Sequence, residues 1–226
     1  VFDLFYGYNC QRNGHFFYPE YLWQNEQKIM FPENKDGQEN TYSHDLIADK
    51  ALEFIQGNQD NPFFLYVPFT LPHAELKVPD SSLEKFRGKF EETPFEGGHY
   101  GAQKYPKAAY AAMVTRMDKD VGRILDLLDA LSLAENTLVI FTSDNGPHEE
   151  GGNDPWFFDS NGPFRGIKRD LYEGGIRMPF LARWPETIPA GSTSDHISAQ
   201  WDFLPTVCEM IEVTPPEGID GISYLP

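Results

Sequence analysis

At 226 residues, with 40% hydrophobic and 15% aromatic content, the chain is long enough to bury a core of its own. Its 18 Lys and Arg face 35 Asp and Glu, a formal charge of −17, which excludes nucleic acid as a partner because phosphate backbones need a basic surface. No run approaches the roughly 20 consecutive apolar residues of a membrane-spanning helix, and Cys10 and Cys208 lack the paired spacing of a zinc site or a disulfide framework.

Residues 1–42 are rich in aromatics, Gly, Asn and Pro without periodicity, and read as loop-heavy cover. The start at Val1, with neither an initiator Met nor a charged-then-apolar leader, reads as a cut. From Thr41 to Ile55 the apolar residues Leu46, Ile47, Ala51, Phe54 and Ile55 recur at helical spacing, with Ser43 as the expected N-cap. The continuous apolar run Phe63 to Phe69 predicts a strand buried on both faces. Residues 71–107 are polar and Gly/Pro-containing, an excursion with a weak helix signal at Ser81 to Phe86. Tyr110, Val114, Met117, Val121, Ile124, Leu125 and Leu128 then mark one helical face. A β-branched strand follows at Asn136 to Thr142 and ends in the turn Ser143-Asp144-Asn145-Gly146-Pro147. Arg177 to Trp184 predicts a further strand and Trp201 to Ile211 a last helix. Alternating helices and apolar strands predict an α/β fold with a mostly parallel sheet and helices on both faces. Ligands of such sheets bind beyond the carboxyl ends of the strands.

Two strand ends deliver polar groups there. His73 follows the first strand; Asp144 and Asn145 follow the second, and their adjacent hard oxygens suit calcium or magnesium better than zinc. Alone, the Asp-Asn-Gly tetrapeptide is an ordinary turn, and His73 an ordinary turn or packing histidine. His148, in Gly146-Pro147-His148-Glu149-Glu150-Gly151-Gly152, is close enough to face the same cleft, or is an exposed loop residue. In Gly166 to Pro179, Lys168 lies between glycines that permit close backbone approach and could set a positive charge against an oxyanion. Glu173 and Arg177 read as a brace for this loop.

Taken in order and spacing, Pro72-His73-Ala74, the Tyr110 to Leu128 helix leading into Phe141-Thr142-Ser143-Asp144-Asn145-Gly146, and the Gly166 to Pro179 segment resemble the type I sulfatases of the alkaline phosphatase-like superfamily. Phe5-Tyr6-Gly7-Tyr8 and Tyr18-Pro19-Glu20-Tyr21-Leu22-Trp23 extend that resemblance over nearly the whole chain. The resemblance implies hydrolysis of a sulfate ester of a glycan or aryl alcohol, Asp144 and Asn145 as late calcium ligands, and His73 and Lys168 as sulfate-contacting catalytic groups. His148 becomes a substrate-proximal candidate, and a periplasmic or secreted location is implied.

The family's nucleophile is a formylglycine made from Cys or Ser in a Cys-or-Ser-x-Pro-x-Arg motif, which none of the 226 residues forms. The chain therefore reads as part of a catalytic domain, truncated at both ends, without the nucleophile region or the small C-terminal domain. By itself it is expected to be inactive and at best a weak calcium binder. Two rivals stay open: a phosphonate or phosphodiester hydrolase of the same superfamily, and a non-catalytic protein that binds sulfated glycans.

Overall fold

In the computed structural model, which describes residues 2–225, the aromatic-rich opening is a small antiparallel sheet and not only loop. Strands β1 (Tyr6–Gly7), β2 (Tyr21–Gln24) and β3 (Gln27–Met30) pair in that order, with Tyr21 opposite Met30 and Gln24 opposite Gln27. The tip between β2 and β3 uses Asn25 at φ 51°, a left-handed conformation that Asn tolerates. Leu22 is the one fully buried residue of β2. A single inward position flanked by half-buried aromatics leaves no visible alternation.

The chain divides into two compact units, Val1–Glu186 and Thr187–Pro226. In the first, α1 (Ser43–Gly57) begins one residue earlier than the cap prediction, since Tyr42 holds the N-cap position and Ser43 is already helical. The 71–107 excursion contains α2 (Asp80–Leu83), and the longest apolar stripe becomes α3 (Pro106–Ala130), with Pro at its first turn, where no N–H is needed. Phe17, Leu71, Leu76, Ala108, Ala112 and Met113 form the main core against α3.

Strand β4 (Val139–Thr142) pairs antiparallel with β5 (Phe180–Arg183), which follows the short helix α4 (Glu173–Ile176). The expected α/β mixture is present, but the pairing among the described strands corrects the expected mostly parallel sheet. Thr142 lies opposite Phe180, so the loop 143–179 leaves and returns at the same end of the sheet. A parallel neighbour needs a crossover to the opposite end. Residues 62–69 form no ladder, and the Phe69 N–H turns back to Val67 O at 2.9 Å. Phe63 and Leu65 pack on Ile55 and Leu128, whereas Phe64 and Tyr66 are more than half exposed, so this run is buried on one side only.

In the second unit, a turn at Gln200–Asp202 opens α5 (Phe203–Met210), close to the predicted helix. Asp202 organises this unit: its carboxylate accepts from the Ala199 N–H at 2.8 Å and the Ile222 N–H at 3.0 Å. Cys10 and Cys208 are both free thiols.

Two features of the first unit hold its functional end. Between α1 and α3, buried His44 hydrogen-bonds through Nε2 to Asp120 Oδ2 at 3.0 Å, and Arg123 donates to the other oxygen at 2.9 Å. Burial works against the Asp120 charge, but these two donors outweigh it and hold the carboxyl below its ordinary range. His44 Nδ1 is buried with no partner among the described residues, so Asp120 supplies its ring's one hydrogen bond.

The second feature is backbone packed on backbone. The Gly146 N–H donates to Gly175 O at 2.9 Å, the Gly174 N–H to Arg165 O at 2.8 Å, and the Lys168 N–H to Pro147 O at 2.8 Å. A Cβ on Gly146 would lie 1.9 Å from Gly174 O, and one on Gly174 would lie 2.1 Å from Gly166 O. Glycine is required because the three loop segments touch through their main chains.

Asp120→Ala is expected to destabilise the full-length protein by about 1–3 kcal/mol, the usual cost of stranding a buried polar group. An unchanged urea midpoint would show that the α1–α3 clamp contributes nothing. Gly174→Ala should lower stability by about 1–3 kcal/mol or more through overpacking; a wild-type melting temperature would contradict the close approach.

Candidate active site

His73 is set by a turn in which its own N–H donates to Thr70 O at 3.0 Å. Its Nδ1 lies 2.6 Å from Ala74 O. A carbonyl only accepts, so Nδ1 carries the ring proton and Nε2 is left as an acceptor. Lys168 Nζ meets that Nε2 at 2.8 Å. The ammonium gives a second N–H to Glu150 Oε2 at 3.1 Å, while Arg169 donates to Glu150 Oε1. Glu150 Oε2 also stands 3.5 Å from His73 Nε2. Burial opposes the Glu150 charge, but the hydrogen bonds from Arg169 and Lys168 dominate and pull its carboxyl down to about 2. Lys168 keeps a third N–H for another acceptor. Beside it lies a cavity of about 330 Å³ whose lining includes His148, Trp156, Lys168 and Arg169.

His148 is buried, and the backbone uses both of its nitrogens. Nε2 lies 3.0 Å from Pro72 O, and Nδ1 accepts the Glu150 N–H at 3.1 Å. Burial lowers its pKa, against a pull upward from the Pro72 carbonyl, so the neutral ring is favoured. It stacks on His73 with ring centres 5.6 Å apart, and His15 stacks on His73 at 4.8 Å. Tyr100 meets His15 and His73 edge-on. The structure thus makes His148 a support that ties the 72–74 loop to the 148–150 loop.

Asp144 and Asn145 sit at the carboxyl end of β4, as expected, with Asp144 exposed. Asn145 Nδ2 donates to Gly146 O at 2.9 Å, which commits the nitrogen and leaves Oδ1 as the ligand-bearing end. Neither side chain hydrogen-bonds to His73 or Lys168; the link is through the backbone, from the Lys168 N–H to Pro147 O. Two adjacent hard-oxygen donors fit a divalent cation such as calcium, but fill only part of a shell of about 6–8 oxygens. Among the described residues no group of three or more His, Cys, Asp or Glu could hold a metal. The two residues therefore fit as a portion of a ligand set.

Glu150, Arg169 and His15 escaped the sequence reading. Glu149 and Glu150 are chemically identical neighbours; the usable signal is the Gly151-Gly152 pair that follows, whose φ values of 65° and 89° turn the chain so that Glu150 faces inward. Glu173 and Arg177 do pair, at 3.1 Å, but both are largely exposed and brace little. The glycine backbone contacts hold that loop.

The sequence model of the family described as Sulfatase matches residues 4–213. Steryl-sulfatase of Homo sapiens is 36% identical over 181 residues, covering 78% of this chain and 28% of that protein. N-acetylgalactosamine-6-sulfatase of Homo sapiens is 34% identical over 205 residues, covering 87% of this chain and 34% of that protein. Among solved structures, Ps i-CgsB in complex with k-i-k-neocarrahexaose superposes with a TM-score of 0.71 at 26% identity, covering 89% of this chain and 40% of that one. The chain spans about a third of the length of these curated relatives. Their shared architecture is alkaline phosphatase-like, the fold expected from the sequence. Matched in sequence along most of its residues and in fold along nearly nine-tenths of them, the chain belongs to the sulfatase family.

Proposed function

We propose that the protein containing this chain hydrolyses a sulfate ester of a glycan or aryl alcohol, with Lys168 and His73 at the reacting group. The observation that carries this reading is the 2.8 Å contact between Lys168 Nζ and His73 Nε2, made between residues 95 apart in sequence. A cation whose remaining N–H lies beside a cavity suits a sulfate oxygen. Lys168 holds a transferable proton at Nζ with His73 Nε2 as its neighbouring acceptor, so the departing alcohol oxygen takes a proton from this pair. The Nδ1–H of His73 stays fixed on Ala74 O, which orients the ring. His148, kept neutral and buried, supports that ring from the substrate-proximal loop. Glu150 balances the two cations and fixes where Nζ points.

Asp144 and Asn145 would hold calcium, which when bound supplies positive charge for the sulfate. The formylglycine nucleophile would come from residues outside this sequence. The relatives named for a sugar sulfate and the neighbour bound to a neocarrahexaose favour a glycan substrate. No helix of the described residues is long and apolar enough to cross a membrane, and we place the protein in the periplasm or outside the cell, where sulfated glycans are met.

Lys168→Ala in the full-length protein is expected to lower aryl-sulfate turnover by about a hundredfold, the scale of losing one preorganised donor. An unchanged rate would remove Lys168 from the mechanism. Glu150→Gln should lower kcat about tenfold without raising KM, since it loosens Nζ while removing a charge that repels sulfate. A raised KM at unchanged kcat would instead make Glu150 a substrate contact. Because the Glu150 carboxyl is depressed to about 2, its contribution is fully present above the ordinary carboxylate range and is lost as pH falls through about 2. Lysine-selective NMR titration of wild type should show the Nζ environment unaltered by Glu150 protonation from pH 7 down to pH 4.5; a Glu150-dependent transition inside that range would contradict the assignment.

A further inference from the structure

The first unit has a second cavity, of about 380 Å³, walled by Phe16, Tyr18, Tyr21, Glu20, Glu39 and Glu75. Its volume falls near the lower end of the roughly 300–1,000 Å³ typical of ligand sites. One wall is aromatic. Phe17 is fully buried and fills the core, whereas the ring of Phe16 beside it is 48% exposed and lies on the cavity. Apart from Pro19 and Gly37, the remaining lining is polar.

Glu75 is the informative residue. It is only 7% exposed, and its Oε2 accepts the Gly101 N–H at 3.2 Å. Its Oε1 makes no hydrogen bond among the described residues; Lys77 Nζ stands 3.9 Å away and is itself bonded to Glu39. Burial raises the Glu75 pKa, as expected of a carboxyl short of donors. A carboxylate whose residue is largely buried, with one oxygen left open to a cavity, can accept a donor from a ligand there.

This cavity shares two chain segments with the site above. Glu75 is two residues from His73, and Asn13, also on the wall, is two residues from the His15 that stacks on His73. Its balance is more acidic than that beside Lys168: Glu20, Glu39 and Glu75 face one cation, Lys77, whereas Lys168 and Arg169 are matched on their cavity by Glu149 and Asp170. Carboxylates accept from hydroxyl groups and repel a second anion, and an aromatic face suits a ring with an apolar side. Three acidic walls are a poor place for an all-hydrocarbon body.

Resting on the sulfatase reading for what lies next door, we propose that this cavity is a subsite for an uncharged pyranose residue linked to the residue that carries the sulfate. It selects a neutral, hydroxyl-bearing neighbour over one bearing a second sulfate or carboxylate, and over a steryl skeleton.

The test uses the full-length protein in two independent arms. In the first, 4-nitrophenyl sulfate turnover by wild type examines the sulfatase reading alone. In the second, calorimetric titration with four uncharged disaccharides (lactose, N-acetyllactosamine, cellobiose and maltose) examines the cavity whether or not turnover is seen. Saturable binding of at least one is expected, weakened about tenfold in Phe16→Ala and in Glu75→Gln. Phe16→Ala removes an exposed ring and keeps the result interpretable if the Glu75 variant does not fold. Absence of binding to all four, or binding that Phe16→Ala leaves intact, would overturn the subsite. Binding without aryl-sulfate turnover would keep the subsite and remove aryl sulfates from the proposed function.

Discussion

A lysine ammonium held between a neutral imidazole and a carboxylate is the constraint on which the functional end of the first unit depends. Lys168 reaches Glu150 of its own loop at 3.1 Å and His73, 95 residues away in sequence, at 2.8 Å. Long side chains cannot be held to such distances by their own rotamers without a fixed backbone beneath them. That backbone is supplied by Gly146, Gly166, Gly174 and Gly175, whose main chains lie so close that side chains would collide. The Glu-Gly-Gly turn at 173–175 is therefore explained by packing, not by an exposed ion pair at its edge.

The antiparallel return of β5 onto β4 serves the same end. With Thr142 opposite Phe180, the loop 143–179 has both feet at one end of the sheet. Asp144, His148, Glu150 and Lys168 all lie within that loop, so a single excursion gathers most of the candidate groups. His73 comes from a separate loop and is tied in by His148, whose Nε2 reaches Pro72 O at 3.0 Å. This arrangement agrees with the rule that sites lie beyond the carboxyl ends of strands, although the described ladder is antiparallel.

What was legible in the sequence follows from length and from repetition. The stripe from Tyr110 to Leu128 spans five turns, and it forms the middle of α3. Strands of four residues, such as β2 and β3, show too few inward positions for a period to register, and their aromatic neighbours obscure it further. Pairing direction was invisible because it depends on where the loop 143–179 returns, a tertiary matter. His73 and Lys168, which the sequence offers as site residues, are in contact. The sequence offers His148 as a substrate-proximal residue, whereas its burial and two backbone bonds are properties of the folded loop. Glu150 could not be told from Glu149 until the glycines after it had fixed the direction of the chain.

Net charge is a poor guide to what such a protein holds. A chain of −17 still presents Lys168 and Arg169 on one cavity, where Glu149 and Asp170 only match them in number, and the acidic excess reappears on the other cavity as Glu20, Glu39 and Glu75. Between them the protonation states are divided by environment. Desolvation keeps His148 neutral, and two cationic donors keep Glu150 ionised to about 2. On the proposed reading, the proton given to the leaving oxygen comes from the Lys168 Nζ–His73 Nε2 contact, and the groups around that contact serve to hold it in place.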